Sequence, residues 1–308
     1  MNGWFAFDAI IAIALLFCGA GMLELVGRRR KMARRWMATA GLVILGTVWL
    51  CVFYGSFIEP RFLIRRDVDA VLNSAPARTL RAALISDIHF GQYKGKEWGE
   101  RIVSSVNAAN PDVIFLDGDF VAGSPVDAEA IVSLAGLKAP YGVFAVTGNH
   151  DYDQGAKPEV VRALQEIGVT VLENRQAVLN VDGKELVVAG ISDIWNDASP
   201  AVALEGLVRE QTVILLSHNP DVLLETSVRL PEVADLILSG HTHGGQIRLP
   251  WLGSVPEIPS RLGRAFDRGF FAANAEHPSI FITSGAGETG PRARFFVPPE
   301  WVLLTVRF

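Results

Sequence analysis

Residues Leu236–Gly245 read Leu-Ile-Leu-Ser-Gly-His-Thr-His-Gly-Gly, a short apolar run that stops at a turn carrying two histidines. A run of this length ending in Ser-Gly predicts a buried strand followed by a sharp turn. Neutral imidazole is the commonest protein ligand for metals, and glycine lets backbone and ligand approach where a β-carbon would not. A single His-x-His is a weak signal, and by itself it fits an exposed polar loop better.

The same arrangement recurs at four earlier points of the chain, where a strand-length apolar run is followed at once by Asp, His or Asn. These turns are Asp87-Ile88-His89, Asp117-Gly118-Asp119, Thr147-Gly148-Asn149-His150-Asp151 and Ser217-His218-Asn219. Of the six histidines, only His277 lies outside the five turns. Because ligands in open α/β sheets gather outside the carboxyl ends of the strands, the pattern predicts a metal site.

Two long apolar segments occupy the first 58 residues, at about 4–26 and 36–58. Each meets the requirement of about 20 apolar residues for a helix that spans a bilayer. Trp4, Trp36 and Tyr54 lie near the segment ends, where amphipathic rings anchor at the membrane interface. The sequence therefore predicts a transmembrane helical hairpin over residues 1–58 and one further domain over residues 59–308.

The short connection between the two segments carries six basic residues, which predicts a cytoplasmic connection. The 59–308 domain would then lie on the periplasmic or extracytoplasmic side of a cell inner membrane. Arg61, Arg65 and Arg66 follow the second span and weaken this asymmetry. The first segment lacks a basic n-region and a small-x-small cleavage site, so a removable signal is not expected. A twin-arginine export signal at Arg34-Arg35 fits poorly and would also place the domain outside.

Charge separates the two regions. Residues 1–58 hold six basic and two acidic side chains, so the overall net charge of −5 leaves −9 for the remainder. An acidic domain without a basic stripe is a poor match for nucleic acid, and none is expected as a partner. Both cysteines, Cys18 and Cys51, lie within the apolar segments, so no disulfide framework is predicted for the domain.

Beyond residue 59 the pattern predicts one α/β domain. An edge strand is expected within 62–71, and helices within 98–110, 126–137 and 158–167. An Asp182-Gly183 turn between two alternating runs, 177–181 and 185–189, predicts a hairpin. Late strands are predicted at 246–249, 280–283 and 302–306.

The five turns, taken in order, resemble the motif blocks of the calcineurin-like metallophosphoesterases. Ser284-Gly285-Ala286-Gly287 and the later Pro298-Pro299-Glu300 are similar to the bacterial membrane-associated branch of that superfamily. The resemblance covers Leu80–Gly245 and implies a four-layer α/β/β/α sandwich with metals at the strand ends. It also implies two ligand sets. One is Asp87, His89, Asp119 and His243, and the other is Asp119, Asn149, His218 and His241.

Carboxylate, imidazole and amide ligands suit two divalent ions such as manganese, zinc or iron. Two ions about 3.5–4 Å apart can share a carboxylate and a hydroxide and hold both ends of an in-line displacement at phosphorus. The resemblance implies that His150 faces the substrate, where it stabilises phosphoryl charge or protonates the leaving oxygen. Asp151 is expected to orient the His150 ring and raise its pKa.

The leading hypothesis is a membrane-anchored phosphoesterase that cleaves a phosphomonoester, phosphodiester or pyrophosphate, with a substrate held at the membrane or in the envelope. One alternative is a UDP-diacylglucosamine pyrophosphatase of lipid A synthesis at the cytoplasmic face, and another is a catalytically inactive metal-binding scaffold.

Several further residues receive less specific predictions. Asp117 is expected to be a buried hydrogen-bonding carboxylate, and Asp193 and Asp197 to lie in a solvated loop more often than in a substrate pocket. His277 is expected at the surface, and Phe270-Phe271 in the core.

Overall fold

The computed structural model describes residues 3–31, 34–73 and 75–308. Met32 and Ala33 of the basic connection, and the side chain of Trp4, therefore lie outside the described residues. The strands are β1 Ile64–Val71, β2 Thr79–Ile85, β3 Val113–Asp117, β4 Val143–Val146, β5 Thr170–Val171, β6 Arg175–Val181, β7 Lys184–Gly190, β8 Thr212–Leu216, β9 Leu236–Ser239, β10 Arg248–Leu249, β11 Gly253–Ser254, β12 Gly269–Phe271, β13 Ser279–Ile282 and β14 Glu300–Arg307. The α-helices are α1 Gly3–Arg28, α2 Arg35–Phe53, α3 Lys96–Asn107, α4 Lys157–Glu166, α5 Pro200–Ala203 and α6 Leu230–Val233.

Two mixed sheets form the centre of the domain. The first has the strand order β1-β14-β2-β3-β4-β5 and the second β12-β13-β9-β8-β7-β6. Strands β2 to β5 run parallel, as do β7, β8, β9 and β13. Because parallel strands that are buried on both faces need apolar residues throughout, their sequences are nearly continuous apolar runs. The predicted edge strand and the hairpin are confirmed as β1 and as β6 with β7.

Alternation along each strand divides the core into layers. In β2, Leu80 and Leu84 pack between the two sheets, whereas Ala83 and Ile85 face the helices on the outer side. Successive side chains of a strand point to opposite faces, so one strand contributes to two layers. Helices α3 and α4 cover the first sheet, and α5 and α6 cover the second. The four-layer α/β/β/α architecture is thus confirmed.

Two local predictions differ from the structure. The segment predicted as a helix within 126–137 is a 3₁₀ helix, Pro125–Leu134, whose proline supplies no backbone N–H. The predicted strand at 246–249 is reduced to β10, which pairs with β11 in a separate two-stranded sheet. Gln246 has a positive φ of 55°, and this conformation turns the chain away from the main sheet.

Helices α1 and α2 pack together, and by length and composition both are able to cross a membrane. Helical turns continue beyond α2 to Arg61. The beginning of α1 and the end of the helical segment that follows α2 both contact the domain. The Tyr93 hydroxyl donates to Asp8 of α1 over 3.0 Å, and the Val297 amide donates to Glu59 over 2.6 Å. The domain therefore lies against the helix ends that are opposite the basic connection.

Candidate metal centre

Five turns at the carboxyl ends of parallel strands meet in one place, at the edge where the two sheets face each other. Strands β2, β3 and β4 supply turns from the first sheet, and β8 and β9 supply turns from the second. The side chains delivered there are Asp87, His89, Asp119, Asn149, His150, His218, His241 and His243. The structure thus brings together residues that lie far apart in the sequence, from Asp87 to His243.

The first cluster consists of Asp87, His89 and His243, whose ligand atoms all lie within 4.8 Å of one another. The Nε2 atoms of His89 and His243 are 3.1 Å apart. Nε2 of His243 is also 3.3 Å from Oδ1 of Asp87. All three side chains are buried, and this arrangement of imidazoles around a carboxylate suits a divalent cation.

The second cluster consists of Asp119, His218 and His241, again with ligand atoms within 4.8 Å of one another. Nε2 of His218 is 3.2 Å from Oδ2 of Asp119. The same Oδ2 atom is 3.5 Å from Nε2 of His89 in the first cluster. One carboxylate oxygen therefore lies between the two clusters, in the position that a shared ligand would take.

Hydrogen bonds on the outer side of two rings fix which nitrogen faces the site. Nδ1 of His218 contacts the Asp117 carbonyl oxygen at 2.6 Å, and Nε2 of His241 contacts the Pro259 carbonyl oxygen at 2.5 Å. A carbonyl only accepts, so each contacting nitrogen carries a proton and the other nitrogen faces the site. That second nitrogen is the one through which each ring would bind a metal ion.

Unpartnered atoms give a second test of the fit to metal ions. Oδ1 of Asn149 is buried and has no hydrogen-bond partner within the described residues, and Nε2 of His218 makes close carboxylate contacts there but no hydrogen bond. Buried polar atoms are almost always satisfied, so these two mark places for a group that the polypeptide does not supply. The residues present therefore fit a pair of cations.

Burial sets the protonation of three of the rings. It lowers the pKa of His89 to about 3 and that of His241 to about 4, and it lowers the pKa of His243 well below its usual value. These rings are neutral near pH 7, which is the form that binds metals. Burial would also lower the pKa of His218, but the carboxylates of Asp119 and Asp87 outweigh it and raise the pKa well above its usual value. A cation at Nε2 would take the place of that proton.

Backbone conformation at the site is strained. Five of the seven proposed ligands have left-handed φ angles, which cost about 1–3 kcal/mol each for residues other than glycine. The φ angles are Asp87 53°, His89 50°, Asp119 53°, His241 68° and His243 51°. Close packing adds a further demand, because a β-carbon on Gly148 would lie 2.3 Å from Oδ1 of Asp119. The turns are therefore held in place by the surrounding fold.

The neighbours of His150 correct one expectation. Its Nδ1 lies 2.8 Å from Oδ2 of Asp153, and its amide donates to Asp119 over 2.8 Å. Burial lowers the pKa of His150, but the Asp119 carboxylate and the Asp153 hydrogen bond outweigh it and leave that pKa raised. Asp151 was predicted to orient this ring, and that prediction is wrong because its carboxylate points away, into the backbone of two turns.

The Asp151 carboxylate is fully buried and accepts four backbone N–H groups. The donors are the amides of Asp119, Phe120, Val121 and Gly148. Asp151 therefore ties the turn after β3 to the turn after β4. It holds the backbone at Asp119 and next to Asn149.

We expect Asp151→Asn to destabilise the protein by about 1–3 kcal/mol, because an amide NH₂ would face backbone donors and leave buried groups unpaired. Thermal unfolding of the full-length protein in detergent measures the effect. Asp153→Asn is the matched control, since within the described part of the chain this half-exposed carboxylate accepts only from His150 and its loss should cost no more than about 0.5 kcal/mol. Equal unfolding midpoints for the two variants would contradict this role for Asp151.

Three weaker sequence predictions are revised. Asp193 is buried and bonds Trp195 and Asn196, so it does not lie in a solvated loop. Asp117 is buried, but its carboxylate oxygens have no hydrogen-bond partner within the described residues. Phe270 is exposed at the edge of the second sheet, although Phe271 packs on the core.

Two neighbours of the site escaped sequence reasoning. The Trp195 ring packs edge-on against His241 with centroids 4.6 Å apart. Arg294 is fully buried, donates to the carbonyls of Gly285 and Gly287, and lies 3.3 Å from Nδ1 of His243. No local pattern marks either residue, because both approach the site from loops outside the five turns.

The family model for calcineurin-like phosphoesterases matches residues 80–245, more than half of the chain. The chain belongs to that family and is a metallophosphoesterase, and together with the two clusters this implies divalent metal ions.

The chain is similar to three proteins that represent different members of this family. A Caenorhabditis elegans protein named as a metallophosphoesterase is 34% identical over 73% of this chain and 48% of its own length. A Danio rerio transmembrane protein with a metallophosphoesterase domain is 33% identical over 68% of this chain and 49% of its own. The UDP-2,3-diacylglucosamine pyrophosphatase LpxG of Chlamydia muridarum is 25% identical over 80% of this chain and 90% of its own length. The chain thus spans about half the length of the two animal relatives.

Proposed function

We propose that this protein is a dinuclear-metal phosphoesterase, anchored in a membrane by residues 1–58, that hydrolyses a phosphoester or pyrophosphate bond of a membrane- or envelope-linked substrate. The observation that carries the proposal is the position of Asp119. Its Oδ2 atom lies within reach of Nε2 of both His89 and His218, one from each ligand cluster.

Each metal ion would be held by residues from both sheets. The proposed sets are Asp87, His89, Asp119 and His243 for one ion, and Asp119, Asn149, His218 and His241 for the other. This mixed oxygen and nitrogen set is compatible with manganese, zinc or iron. When bound, the two ions supply Lewis-acid stabilisation of phosphoryl charge and activate a water molecule for attack at phosphorus.

His150 is proposed as the protein group that acts on the substrate directly. The Asp153 carboxylate holds Nδ1, so the opposite nitrogen is free to face the phosphoryl group beside the clusters. Its ring packs edge-on against His89, with centroids 5.1 Å apart, which places it at the edge of the first cluster. From there an imidazolium can donate a proton to the departing oxygen.

The membrane anchor favours a substrate presented at the bilayer, because the domain contacts the ends of both candidate spans. The positive-inside pattern favours an extracytoplasmic domain. A cytoplasmic UDP-2,3-diacylglucosamine pyrophosphatase is the second candidate, supported by the chlamydial relative. A reporter fused after Phe308 separates the two, since cytoplasmic signal would favour the second. The inactive-scaffold alternative is disfavoured because all seven proposed ligands are present.

The full-length protein in detergent, loaded with Mn²⁺ or Zn²⁺, should hydrolyse an aryl phosphomonoester, an aryl phosphodiester or a pyrophosphate. We expect at least one of these substrates to turn over, and chelation followed by metal return to remove and restore the activity. Failure on all three substrates with every metal, in protein that retains two bound ions, would overturn the proposed hydrolysis and favour the scaffold.

A further inference from the structure

The turn that carries His241 and His243 continues into an apolar hairpin at the domain surface. This tip hairpin, residues 248–255, consists of β10, a three-residue connection, β11 and Val255. Trp251 at its end is fully exposed, and Leu252 is 62% exposed. Monomeric soluble domains seldom leave large apolar side chains clustered in water, so a cluster of this kind marks an interaction surface.

The neighbouring chain segment enlarges the cluster. Phe296 is 55% exposed and lines one open groove of about 670 Å³ together with Trp251 and Leu252. Leu249 and Val255 at the two sides of the hairpin are also exposed. The apolar surface is therefore continuous across two separate segments and is not the accident of a single loop.

Hydrogen bonds connect this surface to the end of α2. The Arg248 amide donates to the Phe295 carbonyl over 2.9 Å, so the tip hairpin runs beside the segment around Phe295. On its other side, the Arg294 amide donates to the Gly55 carbonyl over 2.8 Å, and the Phe295 ring packs edge-on against Tyr54. A single chain segment, residues 294–295, therefore lies between the hairpin and the helical turns that follow α2.

The charges around the surface suit lipid headgroups. Arg264 lines the same groove, is exposed, and forms no ion pair within the described ranges. Arg248 lies in the groove as well, although Asp267 pairs with it. Arg264 donates one hydrogen bond to the Val255 carbonyl and keeps its charge unpaired within the described ranges. An exposed tryptophan with such an arginine nearby is the combination that binds at a bilayer interface, where the ring enters the headgroup region and the cation meets phosphate.

We propose that the tip hairpin and Phe296 form a lipid-binding surface that inserts into the bilayer crossed by α1 and α2. Residues 3–61 would then hold one side of the domain at the membrane, and the hairpin would hold a second point. Because the hairpin continues directly from the His243 turn, and Pro259 beyond it bonds His241, this contact would hold the metal centre close to the membrane surface. The inference rests on the membrane anchor in the proposed function but not on hydrolysis.

The test uses the full-length protein with Cys18→Ser and Cys51→Ser, carrying Trp251→Cys or Leu252→Cys with an environment-sensitive fluorophore. It is reconstituted in phosphatidylcholine–phosphatidylglycerol vesicles with and without lipids bearing a quencher near the headgroup. Val202→Cys is the matched control, because Val202 is 55% exposed on α5 at the outer face of the second sheet. Emission at both hairpin positions should be blue-shifted and quenched severalfold more than at position 202.

Quenching at 251 and 252 equal to that at 202 would overturn the proposal. A blue shift without lipid quenching would do so as well, and would instead indicate contact with protein, such as a second copy of the chain. Hydrolysis of an aryl ester, assayed on the same vesicles, reports separately on the proposed function. Quenched but inactive protein would leave the lipid contact standing while the hydrolase proposal failed.

Discussion

Replacing Asp119 with asparagine should lower kcat/KM for any phosphoester that the protein hydrolyses by at least about 10³-fold, because the lost charge stabilisation amounts to several kcal/mol and each 1.36 kcal/mol is worth tenfold. The carboxylate lies between the two ligand clusters, so the substitution weakens both at once. Initial rates on an aryl ester give the loss in activity, and elemental analysis of the purified protein gives the number of metal ions retained.

Asp117→Asn provides the matched control for this change. Asp117 is two residues away and equally buried, and its carboxylate oxygens accept no hydrogen bond within the described residues. It belongs to neither ligand cluster. The control should keep two bound ions and most of its activity. Similar rates for the two variants would refute the shared-ligand position of Asp119, whatever the absolute activity.

His150→Ala is expected to lower kcat by about 10²–10⁴-fold, the usual contribution of a positioned proton donor, while the protein keeps both metal ions. The ring lies beside the first cluster and is not needed to hold either ion. The loss should be largest for esters with poor leaving groups, because a good leaving group departs without a proton. A variant with unchanged kcat on a poor leaving group would remove His150 from the mechanism.

The pH dependence follows from the neighbours of His150. Burial would lower its pKa, but the Asp119 carboxylate and the Asp153 hydrogen bond leave that pKa above its usual value. A proton donor works while it is protonated, so activity should persist above pH 6.5 and fall as pH rises through the raised pKa. Bound metal ions would neutralise the charge of Asp119. Asp153 would then be the main partner that keeps the His150 ring protonated.

Asp153→Asn should therefore move the alkaline limb of the kcat profile to lower pH. The same substitution in a His150→Ala background should shift nothing, because the group on which it acts is gone. An unmoved limb in the single variant would show that the Asp153 contact does not control the protonation of His150.

Much of the domain could be predicted from sequence because its strands are local apolar runs of strand length. The runs at 82–85, 113–116, 143–146, 213–216 and 236–238 all lie within strands of the two sheets. Two segments outside the main strands were less predictable. Pro125–Leu134 winds as a 3₁₀ helix, and the predicted strand at 246–249 shrinks to β10, because contacts with distant segments override a weak local preference.

The site shows the same division. The residue types that face it follow from the turns, but the partner of His150 does not. Asp151 adjoins the ring in sequence and points into the backbone of the β3 turn, whereas Asp153 reaches Nδ1 from one helical turn further on. Direction in a tight turn depends on φ and ψ, which here include left-handed values that are rare for residues other than glycine.

Sequence by itself determined which polar residues stand at the ends of which strands, because apolar periodicity and turn composition are local properties. Tertiary structure alone decided that Asp119 lies between two clusters, that Asp151 braces the turns, and that the tip hairpin lies beside the end of α2. Each of these facts depends on contacts between segments far apart in the chain. Only the packing of the two sheets against each other and against the helix ends sets those distances.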